Sequence, residues 1–118
     1  MRFLLNLLLE VVSQVRLRDL LPNLDRLNER QKEFVRSVSA IDFAVYHKVS
    51  RRMLLAIEVN GTRFHEDSPA QQVRDELKAQ IIGIYGADML VLRTNDSNIE
   101  STVRDRLDRI LVLDERRG

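Results

Sequence analysis

The 118-residue sequence contains no cysteine, which excludes a disulfide scaffold and a thiolate zinc site and fits a cytoplasmic protein. Aromatic residues make up only 5%, and Phe43, Phe64 and Tyr85 are too scattered to form a base-stacking platform. Charge of one sign is also lacking. The 19 Lys and Arg residues nearly cancel the 18 Asp and Glu, leaving a net charge of +1, so no global field draws in nucleic acid or an acidic membrane. Any polyanion contact must be a local patch. Arginine supplies 16 of the 19 basic groups; its planar fork suits phosphate, and an arginine-rich genome would give the same bias. There is no repeat, low-complexity stretch or Gly/Ser linker. The length suits one domain, residues 1–118, which would bury roughly two thirds of its unfolded surface and so form a core without staples.

No apolar run approaches the roughly 20 residues that cross a bilayer. The one misleading segment is Met1 to Val12, where Phe3, Leu4, Leu5, Leu7, Leu8 and Leu9 follow Arg2 and imitate a secretory signal. Asn6 and Glu10 interrupt it and no small-residue cleavage site follows, so the spacing predicts a buried helix. Its abrupt, uncapped start suggests a fragment of a longer, multidomain chain.

Val11 to Leu17 interleaves β-branched and polar residues and predicts a short strand. Asp19 to Asn28, with Pro22 and two Asn, reads as a connection, and Asn28 to Arg36 as a short helix. Ile41 to His47 and Met53 to Asn60 read as a hairpin. Ser68, Pro69 and Gln71 form a capping-box start for a helix whose stripe is Val73, Leu77, Ile81 and Ile84 and whose stop is Gly86. Met89 to Arg93 is a last strand, followed by the turn-rich Thr94, Asn95 and Asp96. Ser97 with Glu100 predicts a capped final helix with a stripe of Ile99, Val103, Leu107, Ile110 and Leu111. The order predicts an α/β domain, a mixed sheet with helices packed against it.

The hairpin carries the chemistry. If facing residues sum to 100, Asp42 stands opposite Glu58, and Lys48 to Arg52 form the loop. Facing side chains have Cβ atoms about 5 Å apart, and like charges that close repel unless a cation lies between them. Asn60 falls on the same face, and two carboxylates with an amide oxygen are hard ligands of the kind Mg²⁺ or Mn²⁺ prefers. Equally, both acids could sit at strand ends in water or pair with arginines.

Asp42-Phe43, Ile57-Glu58-Val59-Asn60-Gly61, His65, Gln72-x-Arg74-Asp75-x-x-Lys78 and Leu90-Val91-Leu92-Arg93 together resemble the PD-(D/E)XK nuclease superfamily. The likeness is closest to the very-short-patch-repair-like endonucleases and a related uncharacterised bacterial nuclease-like domain family, and it spans roughly Val15 to Leu111. It implies a restriction-endonuclease-like core, with a mixed four-stranded sheet flanked by helices, and Mg²⁺- or Mn²⁺-dependent hydrolysis of DNA phosphodiesters. By the same likeness Asp42, Glu58 and the Val59 carbonyl would hold the cation, and His65 would approach the scissile phosphate or attacking water. The superfamily's usual lysine would fall at Asn60, which lacks the charge, and the acid of the first helix has no counterpart. Lys78 is the substitute the resemblance offers. A helical wheel places Arg74 and Lys78 on one flank of the apolar stripe, within reach of a phosphate, with Asp75 pointing away.

His47 has no assigned role, Arg93 could meet a phosphate or pair with Asp96, and Arg104, Arg106 and Arg109 share a solvated face with Asp105 and Asp108. Two alternatives remain. One is a degenerate nuclease fold kept as a nucleic-acid-binding or protein-interaction module. The other is an assembly domain whose first and last helices bury a homodimer interface, for which exposed Leu4, Leu5, Leu8 or Leu9 would speak.

Overall fold

A computed structural model describes residues 8–37, 39–60, 69–93 and 97–117, with 113–117 as backbone only. The protein is a four-stranded mixed sheet flanked by helices, with strands in the order β1-β2-β3-β4. Strand β1 (Leu9–Arg16) runs along one edge, antiparallel to β2 (Ala40–His47), with Val11 facing Val45 and Val15 facing Ile41. The predicted N-terminal helix is therefore corrected over Leu9 to Val12, where adjacent valines pair with β2 rather than coil. Met1 to Leu7 lie outside the described residues. Leu8 and Leu9 are half-buried, and Leu9 packs into a core cluster, so neither supplies the exposed face that a dimer would use.

Leu17 opens a four-residue helix, α1 (Leu17–Leu20), instead of ending the strand, because Leu17 and Leu20 lie three apart and both are buried. Part of the predicted connection is thus helical. The amide of Leu17 is held by the Ser39 carbonyl at 2.8 Å, which ties α1 to the start of β2. Helix α2 (Glu29–Arg36) begins where expected, since Asn28 and Gln31 form a reciprocal capping box with bonds of 2.8 and 2.9 Å.

β2 and β3 (Met53–Asn60) form the predicted hairpin. Phe43 faces Ile57, Ala44 faces Ala56 and Val45 faces Leu55, each pair summing to 100. Beyond Val45 the register shifts and Tyr46 faces Met53, so the irregularity lies toward the turn and leaves the Asp42 end undisturbed. Helix α3 (Pro69–Ile84) then returns the chain to β4 (Asp88–Arg93), parallel to β3, and Gly86 at φ +88° makes the turn. Ser68 and the turn at Thr94 to Asp96 lie outside the described residues.

The last helix, α4 (Ile99–Arg117), opens one residue later than the Ser97–Glu100 box requires. Asn98, at φ +65°, precedes it, and its carbonyl accepts from the Thr102 amide at 3.0 Å. Asparagine tolerates that left-handed conformation better than most residues, so the turn tightens there. Glu100 pairs instead with Arg104 one turn along.

Alternation along the strands produces two cores. Ala44 and Ala56 face the side where Ile81 and Ile82 of α3 pack with Leu17, Leu20 and Val35. Val45, Leu55, Ile57, Leu90 and Leu92 face the other side, against Ile99, Val103, Leu107 and Ile110 of α4. Val73, expected in the α3 stripe, is 47% exposed; Leu77, Ile81 and Ile84 keep their places. Among the described residues no helix is long and apolar enough to cross a membrane.

Candidate functional site

The undisturbed register brings Asp42 and Glu58 to the α3 side, one step beyond the Phe43–Ile57 pair. Asp42 Oδ2 accepts from the Val59 amide at 2.7 Å. The bond fixes that carboxylate across the strand boundary. It also shows Val59 acting through its N–H, where the resemblance implies its carbonyl.

Glu58 is the buried charged residue of the core, 7% exposed, in the run Leu54 to Ile57 that is otherwise apolar. Burial pushes its carboxyl above the ordinary 4.5. Lys78 opposes that rise by hydrogen bond and charge, while Asp42 adds to it through its like charge and a hydrogen bond between the two carboxyls. Lys78 Nζ donates to Glu58 Oε1 at 2.6 Å and to the Ala40 carbonyl at 3.1 Å. A helix residue thus carries its positive charge to the strand acid. The pair is well desolvated, with side chains 12% and 9% exposed.

Asn60 belongs to the same face. Its Nδ2 donates to Asp75 Oδ2 at 3.4 Å, and Gln71 Nε2 donates to Asp75 Oδ1 at 2.9 Å. This corrects the wheel: Asp75 turns toward the site, whereas Arg74 is exposed and donates to Gln71 Oε1 at 2.9 Å. The expected stripe left out Ile82, which is fully buried and shares its helix face with Asp75 and Lys78. The signal that would have found the true face is Gln71, Asp75, Lys78 and Ile82, at spacings of four, three and four. His65 and Gly61 lie outside the described residues.

Two further residues join the neighbourhood. Arg93 stands beside Asn60 in the parallel ladder. Gln14 falls between the Ser13–Phe43 and Val15–Ile41 pairs, opposite Asp42, and its φ of +54° marks a strained backbone of a kind that clusters at functional sites. His47, by contrast, is structural: its Nδ1 accepts from the amides of Val49 and Ser50 at 3.2 and 3.3 Å and so closes the hairpin loop. Arg106 reaches off α4 to Asp88 of β4 at 3.6 Å, and Asp108 Oδ1 is buried with no hydrogen-bond partner among the described residues, so the solvated face expected on α4 is corrected at these two residues.

Among the described residues no group of three His, Cys, Asp or Glu side chains is gathered for a metal. The donors at hand are two carboxylates and an amide, a hard oxygen set whose chemistry fits Mg²⁺ or Mn²⁺. The positive charge that the structure places beside Glu58 is Lys78.

A family model described as a protein of unknown function (DUF2726) matches residues 5–110. The chain belongs to the DUF2726 family. That match encloses β1 through most of α4, and therefore Asp42, Glu58, Asn60, Asp75 and Lys78 alike. Neither curated proteins nor solved structures give a significant match.

Proposed function

We propose that this DUF2726 domain is a metal-dependent endonuclease-like module with a restriction-endonuclease-like core, acting on DNA phosphodiesters. The observation that carries the reading is Lys78 Nζ at 2.6 Å from Glu58 Oε1, a lysine that α3 brings to the strand acid. Two acids and a lysine near one another, the lysine from another element, support the reading.

Asp42 and Glu58 would hold Mg²⁺ or Mn²⁺, with Asn60 and the Val59 carbonyl as further oxygen donors. A bound divalent cation supplies Lewis acidity and lowers the pKa of its water. The chain's own residues do the rest. The Val59 amide orients Asp42, and Asp75 takes the Asn60 Nδ2 so that the amide oxygen is turned elsewhere. Lys78 holds a positive charge beside Glu58, suited to charge that develops on a phosphate oxygen. Arg74 and His65 are proposed to meet the DNA phosphates.

A second reading is favoured by Lys78, whose Nζ already answers the Glu58 carboxylate at 2.6 Å. Under it the domain is a degenerate nuclease fold that binds nucleic acid or protein without cleaving. Calorimetric titration with Mn²⁺ separates the two, with plasmid nicking as the second readout. Heat from the parent, lost in Asp42→Ala and Glu58→Ala together with nicking, supports the first. A parent that takes up no Mn²⁺ yet retains plasmid in a gel-shift assay overturns it in favour of the second.

A further inference from the structure

At the turn end of the β2–β3 hairpin lies a cleft of about 410 Å³, in the size range of small-molecule sites. Met53 lines it, and Glu58 is five residues further along β3, so the cleft stands roughly 17 Å along the strand from the carboxylates. The two are separate places. Leu20, Pro22 and Met53 give the cleft apolar surface, Tyr46 and Tyr85 add aromatic rings, and Arg51 and Arg52 bring guanidinium groups from the hairpin loop. The acid among the lining residues, Asp19, is already answered by Arg16 at 3.2 Å.

The lining is held in place by contacts of its own. The Tyr85 hydroxyl donates to Asn23 Oδ1 and accepts from the Arg26 amide, both at 3.3 Å, and the Arg26 guanidinium lies 5.6 Å from the ring centroid. On the loop side the Arg51 amide donates to the His47 carbonyl at 2.8 Å, within the turn that His47 Nδ1 closes. That turn holds Arg51 at φ +66°, a conformation side chains with a Cβ avoid and one often stored at ligand clamps. Nothing in the hairpin's own folding requires a charge at this position, since Asn or Gly would take the turn more easily.

An apolar and aromatic floor accepts a flat ring, and a guanidinium group donates charge-assisted bonds to phosphate oxygens. We propose that this cleft is a second ligand site, which binds a nucleoside monophosphate with its base against the tyrosines and its phosphate at Arg51. The same chemistry occurs free in solution and at the phosphorylated end of a DNA strand. The site is independent of the metal reading, because none of its residues touches Asp42 or Glu58.

Isothermal titration of the full chain with dAMP, deoxyadenosine, inorganic phosphate and one oligodeoxynucleotide with a 5′-phosphate or a 5′-hydroxyl tests it. Binding of dAMP, or of the phosphorylated oligonucleotide at least tenfold tighter than its 5′-hydroxyl form, with deoxyadenosine and phosphate each at least tenfold weaker, is expected; the tighter of the two names the source. Arg51→Asn, which suits the left-handed turn, should keep the thermal midpoint and lose roughly tenfold in affinity, the size of one charged hydrogen bond. No binding by the parent, phosphate binding as well as dAMP, or Arg51→Asn binding like the parent would each overturn the proposal.

Discussion

On the α4 side of the sheet, Val45, Leu55, Ile57, Leu90 and Leu92 form a continuous apolar layer, whereas on the α3 side the layer of Ala44, Ala56 and Ile82 gives way to Asp42, Glu58, Lys78 and Asp75. The same strands supply both faces, residue by residue in alternation. One face packs against α4. The other spends stability on a desolvated charge pair, a use of core space that hydrophobic packing of equal volume would often match or exceed. A polar cluster retained against that cost, at the end of a sheet and with a neighbouring strained residue, is where chemistry is expected.

The sharpest way to break the comparison is to remove one charge from the polar face. Lys78→Met should cost about 4 kcal/mol at neutral pH, because it strands the Glu58 carboxylate among apolar neighbours. Denaturant titration reads the loss, and the double variant Lys78→Met with Glu58→Met should recover most of it. A single variant as stable as the parent would mean that Glu58 is solvated after all. On the apolar face Leu55→Ala, at a side chain with 0% exposure, should cost about 3 kcal/mol through lost transfer energy and a cavity. Here no second substitution on the polar face should compensate, since the two layers lie on opposite sides of the sheet.

This asymmetry was only half legible in the sequence. Hydrophobic alternation in β2 and β3 located the hairpin, its five-residue loop and the pairs summing to 100, because a buried face pins register and any slip would turn every side chain over. Asp42 and Glu58 followed from that register alone. The register slip at Tyr46 was not legible, since no turn residue marks it, and neither was the strand at Leu9 to Val12, where five leucine and phenylalanine residues upstream imitated a helix. On α3 the buried Ile82 was left out of the apolar stripe, and with it the face that Asp75 shares with Lys78. The polar stripe was present in the spacing, but apolar residues define a helix face more visibly than Gln, Asp and Lys do. The cleft at the turn end depends on contacts across 59 to 62 residues, from Tyr85 to Arg26 and Asn23, and such contacts leave no local pattern.

The pH dependence sharpens the comparison next. Burial raises the Glu58 carboxyl, so the folded chain binds this proton more tightly than the unfolded chain does. Its contribution to stability is then fully present below 4.5 and is lost as pH rises through the raised value of the folded state. Glu58→Gln removes the titration. The stability difference between parent and variant, measured by urea unfolding at steps from pH 4 to 8, should move against the parent as pH increases. A difference independent of pH would show that Lys78 fully offsets the burial.

The smallest expected effect on stability comes from Asp42→Asn, and it separates structural from chemical use of the polar face. The amide oxygen can still accept from Val59 N–H, so that bond survives in a weaker, uncharged form and the cost should stay under about 1 kcal/mol. Part of even that is returned, because removing the charge beside Glu58 relieves the like-charge push on its carboxyl. Mn²⁺ affinity should behave differently, since a neutral amide is a far poorer cation ligand than a carboxylate. A variant that keeps its unfolding midpoint and loses the Mn²⁺ heat would assign Asp42 to ligand binding. If the midpoint falls by as much as in Lys78→Met, then Asp42 belongs with the residues that hold the hairpin together, and the polar face is structural at this position.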